Sequence, residues 1–295
     1  MQSNGPSPFA AGLAALHSPV LPLVRLVQLL YLTGPFTMMD EVLGQLTEPI
    51  DTGNVVYDTP DTLLLPYLPL LKEFERFKNA APWPRIVLNE DQTEIDLFDS
   101  VESWVSQEIL TSELEKINSL LCWHCQCTLC CAGPDTTMRQ LFFEIPLSPG
   151  ETDLFQLQRI DSPESRRHTA QCDPVLLRDG RPFYETPPAL YNWRTGQSLI
   201  LPRGTSCPHL ESDKGYCRIY PQRPEVCRRP QIFAYVLERQ PDLDRQVDDR
   251  ILPAFISCRK LLAIWDCPYV KEFQEEIADY AALCGVEVLF KQNKA

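Results

Sequence analysis

The stretch Cys122-Trp123-His124-Cys125-Gln126-Cys127-Thr128-Leu129-Cys130-Cys131 places five cysteines in ten residues. No ordinary core needs thiols at that density, and adjacent cysteines are poor disulfide partners for each other. Soft sulfur donors at short spacing are how proteins hold thiophilic metals. Cys127-x-x-Cys130 lets two sulfurs converge from one tight loop, and Cys122-x-x-Cys125 offers a second pair. Three more cysteines follow at even intervals: Cys207, Cys217 and Cys227.

Standard patterns fail on this arrangement. A zinc ribbon separates its two knuckles by a spacer, whereas these pairs lie side by side. A c-type haem site wants histidine after its second cysteine, where Gln126 and Cys131 stand. The bacterial ferredoxin run and a C-x-x-x-C-x-x-C triplet are absent.

The second group carries more information. Cys127-Thr128-Leu129-Cys130-Cys131, then Cys207-Pro208-His209-Leu210, then Cys217-Arg218-Ile219-Tyr220-Pro221-Gln222-Arg223-Pro224-Glu225-Val226-Cys227-Arg228 resembles the YkgJ-type cysteine-cluster family, a zinc- or iron-chelating domain. Its pattern is C-x-x-C-x-x-C-C, a spaced cysteine, then C-x-I-Y-x-x-R-P-x-x-C-R. Ile145-Pro146-Leu147-Ser148 with Glu151 and Leu154 is similar to the segment that follows the cluster, and Cys258-Arg259 is similar in place to a late cysteine. The resemblance covers about residues 120–265. It departs at the leading cysteine, where His124 stands with Cys122 and Cys125 close by, and these three compete for that position.

The metal ligands expected are therefore Cys125, Cys127, Cys130, Cys131, Cys207, Cys217, Cys227 and Cys258. Cys172, Cys267 and Cys284 read as ordinary thiols. His209 reads as a polar loop histidine. Arg223, Arg228 and Arg229 put positive charge beside the downstream sulfurs, which lowers thiol pKa values. The ligand set is almost all sulfur and exceeds one mononuclear zinc site. It allows an iron–sulfur cluster, slightly favoured, or two zinc ions. The bound metal would supply much of the folding energy of this region.

Length and composition frame the fold. A chain of 295 residues can bury a real core, and 27 prolines against 12 glycines predict broken, short elements. The fold class expected is α+β, helix-dominated: a helical region over 1–115, an irregular metal-stabilised cysteine domain with short strands over 116–265, and a helix and strand over 266–295. Residues 1–9 read as a tail. Helices are expected over 20–33, about 38–46, 61–79, 100–121 and 270–283. Strands are expected at 85–88, 93–97, 138–145 and 286–290. A hairpin spans 191–201, residues 230–239 are a strand or short helix, and 161–190 read as a loop.

A net charge of −13 argues against nucleic acid and anionic membrane as partners. The apolar stretch 20–32 is too short to span a bilayer and lacks a signal-peptide layout. The chain is therefore expected in the reducing cytoplasm, where cysteines serve as ligands or thiols. The partners implied are a metal ion or cluster and a protein of unknown identity. No phosphate loop, nucleophile elbow or H-E-x-x-H motif is present. The same cysteine domain resembles part of flagellin lysine N-methylases, so a cluster-dependent enzyme is an alternative, as are a zinc-stabilised adaptor and a disulfide scaffold.

Overall fold

The computed structural model describes residues 7–79 and 81–292, so most of the expected N-terminal tail lies outside the described residues. The fold is mixed α+β. Numbered in chain order, the main helices are α1 (Ala10–His17), α2 (Leu21–Thr33), α3 (Leu97–Cys125), α4 (Pro268–Glu272) and α5 (Gln274–Leu283). The main strands are β1 (Ile86–Leu88), β2 (Phe142–Leu147), β3 (Arg159–Ile160), β4 (Ala189–Trp193), β5 (Gly196–Pro202), β6 (Ile232–Arg239), β7 (Ala254–Ile264) and β8 (Glu287–Lys291).

Contacts divide the chain into two compact units. Of the described residues, one holds 7–79, 81–121, 231–265 and 270–291, and the other holds 122–230, 266–269 and 292. These units differ from the three sequential regions expected. Residues 231–265 group with the N-terminal residues because β7 pairs antiparallel with β6 and parallel with both β1 and β8. A sheet assembled from strands so far apart in sequence cannot be cut by a sequential boundary.

In the first unit the helix periodicity read from the sequence is realised in α3. Val101, Val105, Ile109, Leu110, Leu114, Ile117 and Leu121 are all buried. Recurrence at three- and four-residue steps puts them on one face. Two amides on α3, Gln107 and Asn118, stand close to three helical turns apart and therefore on a common face. Both serve β6. Asn118 donates from Nδ2 to the Ile232 carbonyl at 2.8 Å and accepts from the Gln231 and Ile232 N–H groups. Gln107 Oε1 accepts from Val236 and Leu237 N–H groups, where the β6–β7 register shifts. A bulge frees backbone groups from the ladder, and here a side-chain amide takes them up.

Strand β7, the longest strand, has no counterpart among the elements expected from the sequence. Its middle carries Cys258, Arg259 and Lys260, and Arg259 takes a left-handed φ of 50°. That kink divides the strand: residues 254–256 pair with β1 and residues 260–264 with β8. Its apolar alternation resumes only at Leu261 and Ala263. The helix expected over 61–79 is a chain of short α and 3-10 turns, broken as Pro66 and Pro69 require. The strand expected at 93–97 is reduced to one bridge, Leu88 with Glu94.

The apolar N-terminal stretch is longer than the 20–32 segment suggested. Ala10–Thr33 is 24 residues, and its most apolar window has a mean hydropathy of 1.5, enough by length and composition to cross a membrane. It forms two helices interrupted at Ser18–Val20, and Leu16, Leu21, Leu23, Val24, Val27 and Tyr31 are buried in the unit's core.

The second unit is built on the sheet order β2-β5-β4-β3, in which β4 and β5 form the expected hairpin. Its two faces are both apolar. Ala189, Tyr191, Trp193 and Ile200 pack with Phe183 on one, and Leu190, Leu199 and Leu201 pack with Leu147 and Phe155 on the other. Partly buried Cys207 packs on the second face. The 161–190 segment, read as a loop, carries a short hairpin, 177–178 with 181–182, and two 3-10 turns.

One buried carboxyl in the first unit makes stability depend on pH. Glu113 accepts from the Val20 N–H at 2.9 Å and from the Tyr280 hydroxyl at 3.3 Å. Burial outweighs these bonds and pushes its pKa up to about 7. The folded state thus holds a proton that the unfolded chain releases above its ordinary value of 4.5. Stability should fall as pH rises from that value to about 7 and then level off. Glu113→Gln still accepts from the Val20 N–H, donates to the Tyr280 hydroxyl where Glu113 accepts from it, and carries no charge. It should match the parent at low pH and exceed it by up to about 3 kcal/mol above pH ~8. Urea unfolding of both proteins across this range is the check, and parallel curves would contradict the assignment.

Candidate metal centre

The site is assembled from the second unit alone. The last turn of α3 brings Cys122 and Cys125, and the helix ends where Gln126 adopts a left-handed φ of 54°. That reversal, usually a glycine's role at a helix C-terminus, turns the chain into the loop of Cys127, Cys130 and Cys131. The loop closes on itself through Cys131 and Ala132 N–H groups bonded to the Thr128 carbonyl.

The downstream segments are tied to this loop by backbone. Cys207 N–H donates to the Cys131 carbonyl at 2.7 Å, and Gly133 N–H donates to the Thr205 carbonyl. A Cβ on Gly133 would lie 2.2 Å from the Pro202 carbonyl oxygen, so only glycine permits this approach. Leu210 pairs with Cys217 in a short antiparallel ladder. Gly215 has a φ of +68° and lies against the Gln126 carbonyl, where a Cβ would come within 2.5 Å. Glu151 braces the last cysteine turn. Its carboxylate accepts from the Ser148 N–H and the Glu225 N–H, both at 2.7 Å. The segment after the cluster is thereby joined to the turn that carries Cys227.

Seven cysteines line one cavity: Cys122, Cys127, Cys130, Cys131, Cys207, Cys217 and Cys227. Ile145, Phe155 and Leu199 from the sheet side complete its apolar wall. Trp123, stacked on Tyr216 at 5.5 Å and edge-on to Tyr220 at 4.6 Å, lies at its rim. The space left is about 40 Å³, room for ions and far short of the several hundred Å³ that an organic cofactor occupies. Among the described lining residues none is a carboxylate, and one is a cation: Arg223, 5% exposed, its guanidinium 4.0 Å from the Tyr220 ring centre.

The electrostatics follow from crowding sulfur in a partly dry space. Burial pushes Cys122 up to about 11 and Cys227 up to about 12, and raises Cys207 and Cys217 as well. Arg223 opposes the rise at Cys122, Cys217 and Cys227. Cys130 is lowered because Cys131, with its sulfur 3.8 Å away, donates to it. Cys127 is pushed down to about 3 by the thiols of Cys125 and Cys267. Cys127 and Cys130 are thus lowered, while burial raises Cys122, Cys207, Cys217 and Cys227.

The structure sorts the expected ligands. Cys127, Cys130, Cys131, Cys207, Cys217 and Cys227 are brought together. Cys125 is placed with Cys127 and Cys267, all three sulfurs lying within 4.8 Å of one another. Cys267, expected to be an ordinary thiol, is buried and stands in this trio. Its one signal is the following Pro268, a pairing also seen at Cys207-Pro208. Cys258 is not among the cavity's lining residues. It lies on β7 in the first unit, its thiol beside Glu238 and Tyr235. Of the three candidates for the leading position, Cys122 lines the cavity, Cys125 joins the trio, and His124 is exposed.

Other expected groups have structural partners. Arg228 donates to the Arg223 carbonyl and Arg229 pairs with Glu225, which leaves Arg223 as the arginine of the three that lines the cavity. His209 approaches the Leu154 carbonyl at 2.8 Å and its ring lies against Phe155. No disulfide joins any of the twelve cysteines among the described residues. The donor set, sulfur without carboxylate and with one buried cation, fits a thiophilic metal and does not fit a hard oxygen-seeking one.

No curated protein and no solved structure matches the chain. Residues 121–248, which span every cavity-lining cysteine and both cysteine motifs, match the model of the CxxCxxCC family, described as "Putative zinc- or iron-chelating domain".

Proposed function

We propose that the second unit binds a thiolate-ligated metal centre through Cys127, Cys130, Cys131, Cys207, Cys217 and Cys227, with Cys122 as the seventh sulfur of the same wall. The observation that carries this reading is the convergence of sulfurs from four separate segments on one small cavity without a lining carboxylate. An iron–sulfur cluster is favoured over a single zinc ion, because seven sulfurs line the wall and a mononuclear zinc takes only four. A cluster would supply one-electron redox capacity, whereas zinc would supply structural closure. The chain's own residues hold the donors in place, keep water from them with Trp123, Tyr216 and Tyr220, and balance thiolate charge with Arg223. Such a site belongs in a reducing compartment, and the cytoplasm is the proposed location.

Anaerobic purification with iron and zinc analysis and a visible spectrum tests the choice of metal. A brown protein with iron and acid-labile sulfide is expected. A colourless protein with stoichiometric zinc would remove the cluster version.

Ligand assignment is testable by substitution. Cys227→Ser should lose most of the bound metal and lower the melting temperature. Cys258→Ser should retain the metal, since its thiol faces Glu238 and Tyr235. Equal loss from both variants would contradict the assignment.

Metal retention should also depend steeply on pH. Cys122, Cys207, Cys217 and Cys227 have raised pKa values, so binding must displace their protons. Affinity should fall about tenfold per pH unit for each proton displaced as the pH is lowered. Competition with a chelator between pH ~6 and ~8 reads this slope, and a flat response would contradict it.

A further inference from the structure

Cys127 lines the cavity and also stands with two thiols that do not, Cys125 and Cys267, the three sulfurs lying within 4.8 Å of one another. Four sulfurs around a tetrahedral zinc, each about 2.3 Å from the metal, stand roughly 3.8 Å apart. The trio is therefore close to metal-binding separation without rearrangement of the backbone. Cys125 comes from the last turn of α3, Cys127 from the loop, and Cys267 from residues 266–269, a short segment that packs with this unit while its neighbours in sequence do not. Neither Cys125 nor Cys267 lines the cavity, so neither belongs to the donor set described above.

We infer that Cys125, Cys127 and Cys267 form a second subsite for a thiophilic divalent ion such as zinc, with the Cys127 sulfur shared between it and the cavity. This rests on the proposed metal centre and extends it from one site to two. Thiolates bridge soft cations readily, because sulfur has lone pairs for both. The bridge also explains why a chain that needs four sulfurs for one centre brings nine together. Three protein donors leave the fourth tetrahedral position to water or an outside ligand. Loading displaces the protons of the ligating thiols and leaves the redox state of every sulfur unchanged.

The test uses the full chain, purified anaerobically and supplied with zinc, then read by metal analysis and by mass mapping of iodoacetamide labelling under native conditions. Cys267→Ala should lose about one zinc equivalent per chain, the complement of one such site. Cys125, half-buried and protected in the parent, should become reactive, while Cys130, Cys131 and Cys217 stay protected. Cys125→Ala, at a less buried position, should lose the same equivalent, and Cys172→Ala should lose none. Full metal content in both trio variants, with Cys125 protection intact in Cys267→Ala, would overturn the second subsite and leave the cavity centre standing. A parent chain that binds no metal under any of these conditions would overturn both.

Discussion

Like charges cannot be crowded into a dry space without a counter-charge, and this constraint governs the second unit. Seven sulfurs share one cavity whose lining offers a single cation, Arg223. Left to themselves most of these groups stay protonated, since burial raises Cys122, Cys207, Cys217 and Cys227. A bound metal would replace the protons and turn mutual repulsion into shared ligation. The rest of the unit reads as the means of holding that arrangement: Gly133 and Gly215 at close backbone approaches, Glu151 joining two turns, and an apolar sheet face beneath.

The first unit depends on a different device. Its sheet is centred on β7, a kinked strand with partners from early, middle and late parts of the chain. Long-range pairing of this kind needs something to fix register. Helix α3 does so through Gln107 and Asn118, which bond β6 at its bulge and at its first residues. Hydrophobic burial along α3 supplies the driving force, and the two amides supply the specificity.

How much of this was legible in the sequence follows from how local each signal is. Helix α3 was readable from its period, and the β4–β5 hairpin from its turn, because both are encoded within a few residues. The cavity cysteines were readable because sulfur at such density has few other uses. Strand β7 was not, since its charged centre hides its alternation and its order comes from partners elsewhere. Cys267 was not, because it stands alone and buried cysteine is common. Cys258 was expected as a ligand from its place in the family pattern, whereas its neighbours in the fold are Glu238 and Tyr235. His124 follows Cys122 by two residues on the same helical turn, and a helix cannot point both side chains into one cavity.

The central question is whether sulfur surrounds the metal in the cavity. X-ray absorption at the iron and zinc edges of the anaerobically purified chain measures this directly. The expected result is a first shell dominated by sulfur at about 2.3 Å, with oxygen or nitrogen contributing no more than the one position left open at the trio. A first shell made mainly of oxygen or nitrogen would contradict it.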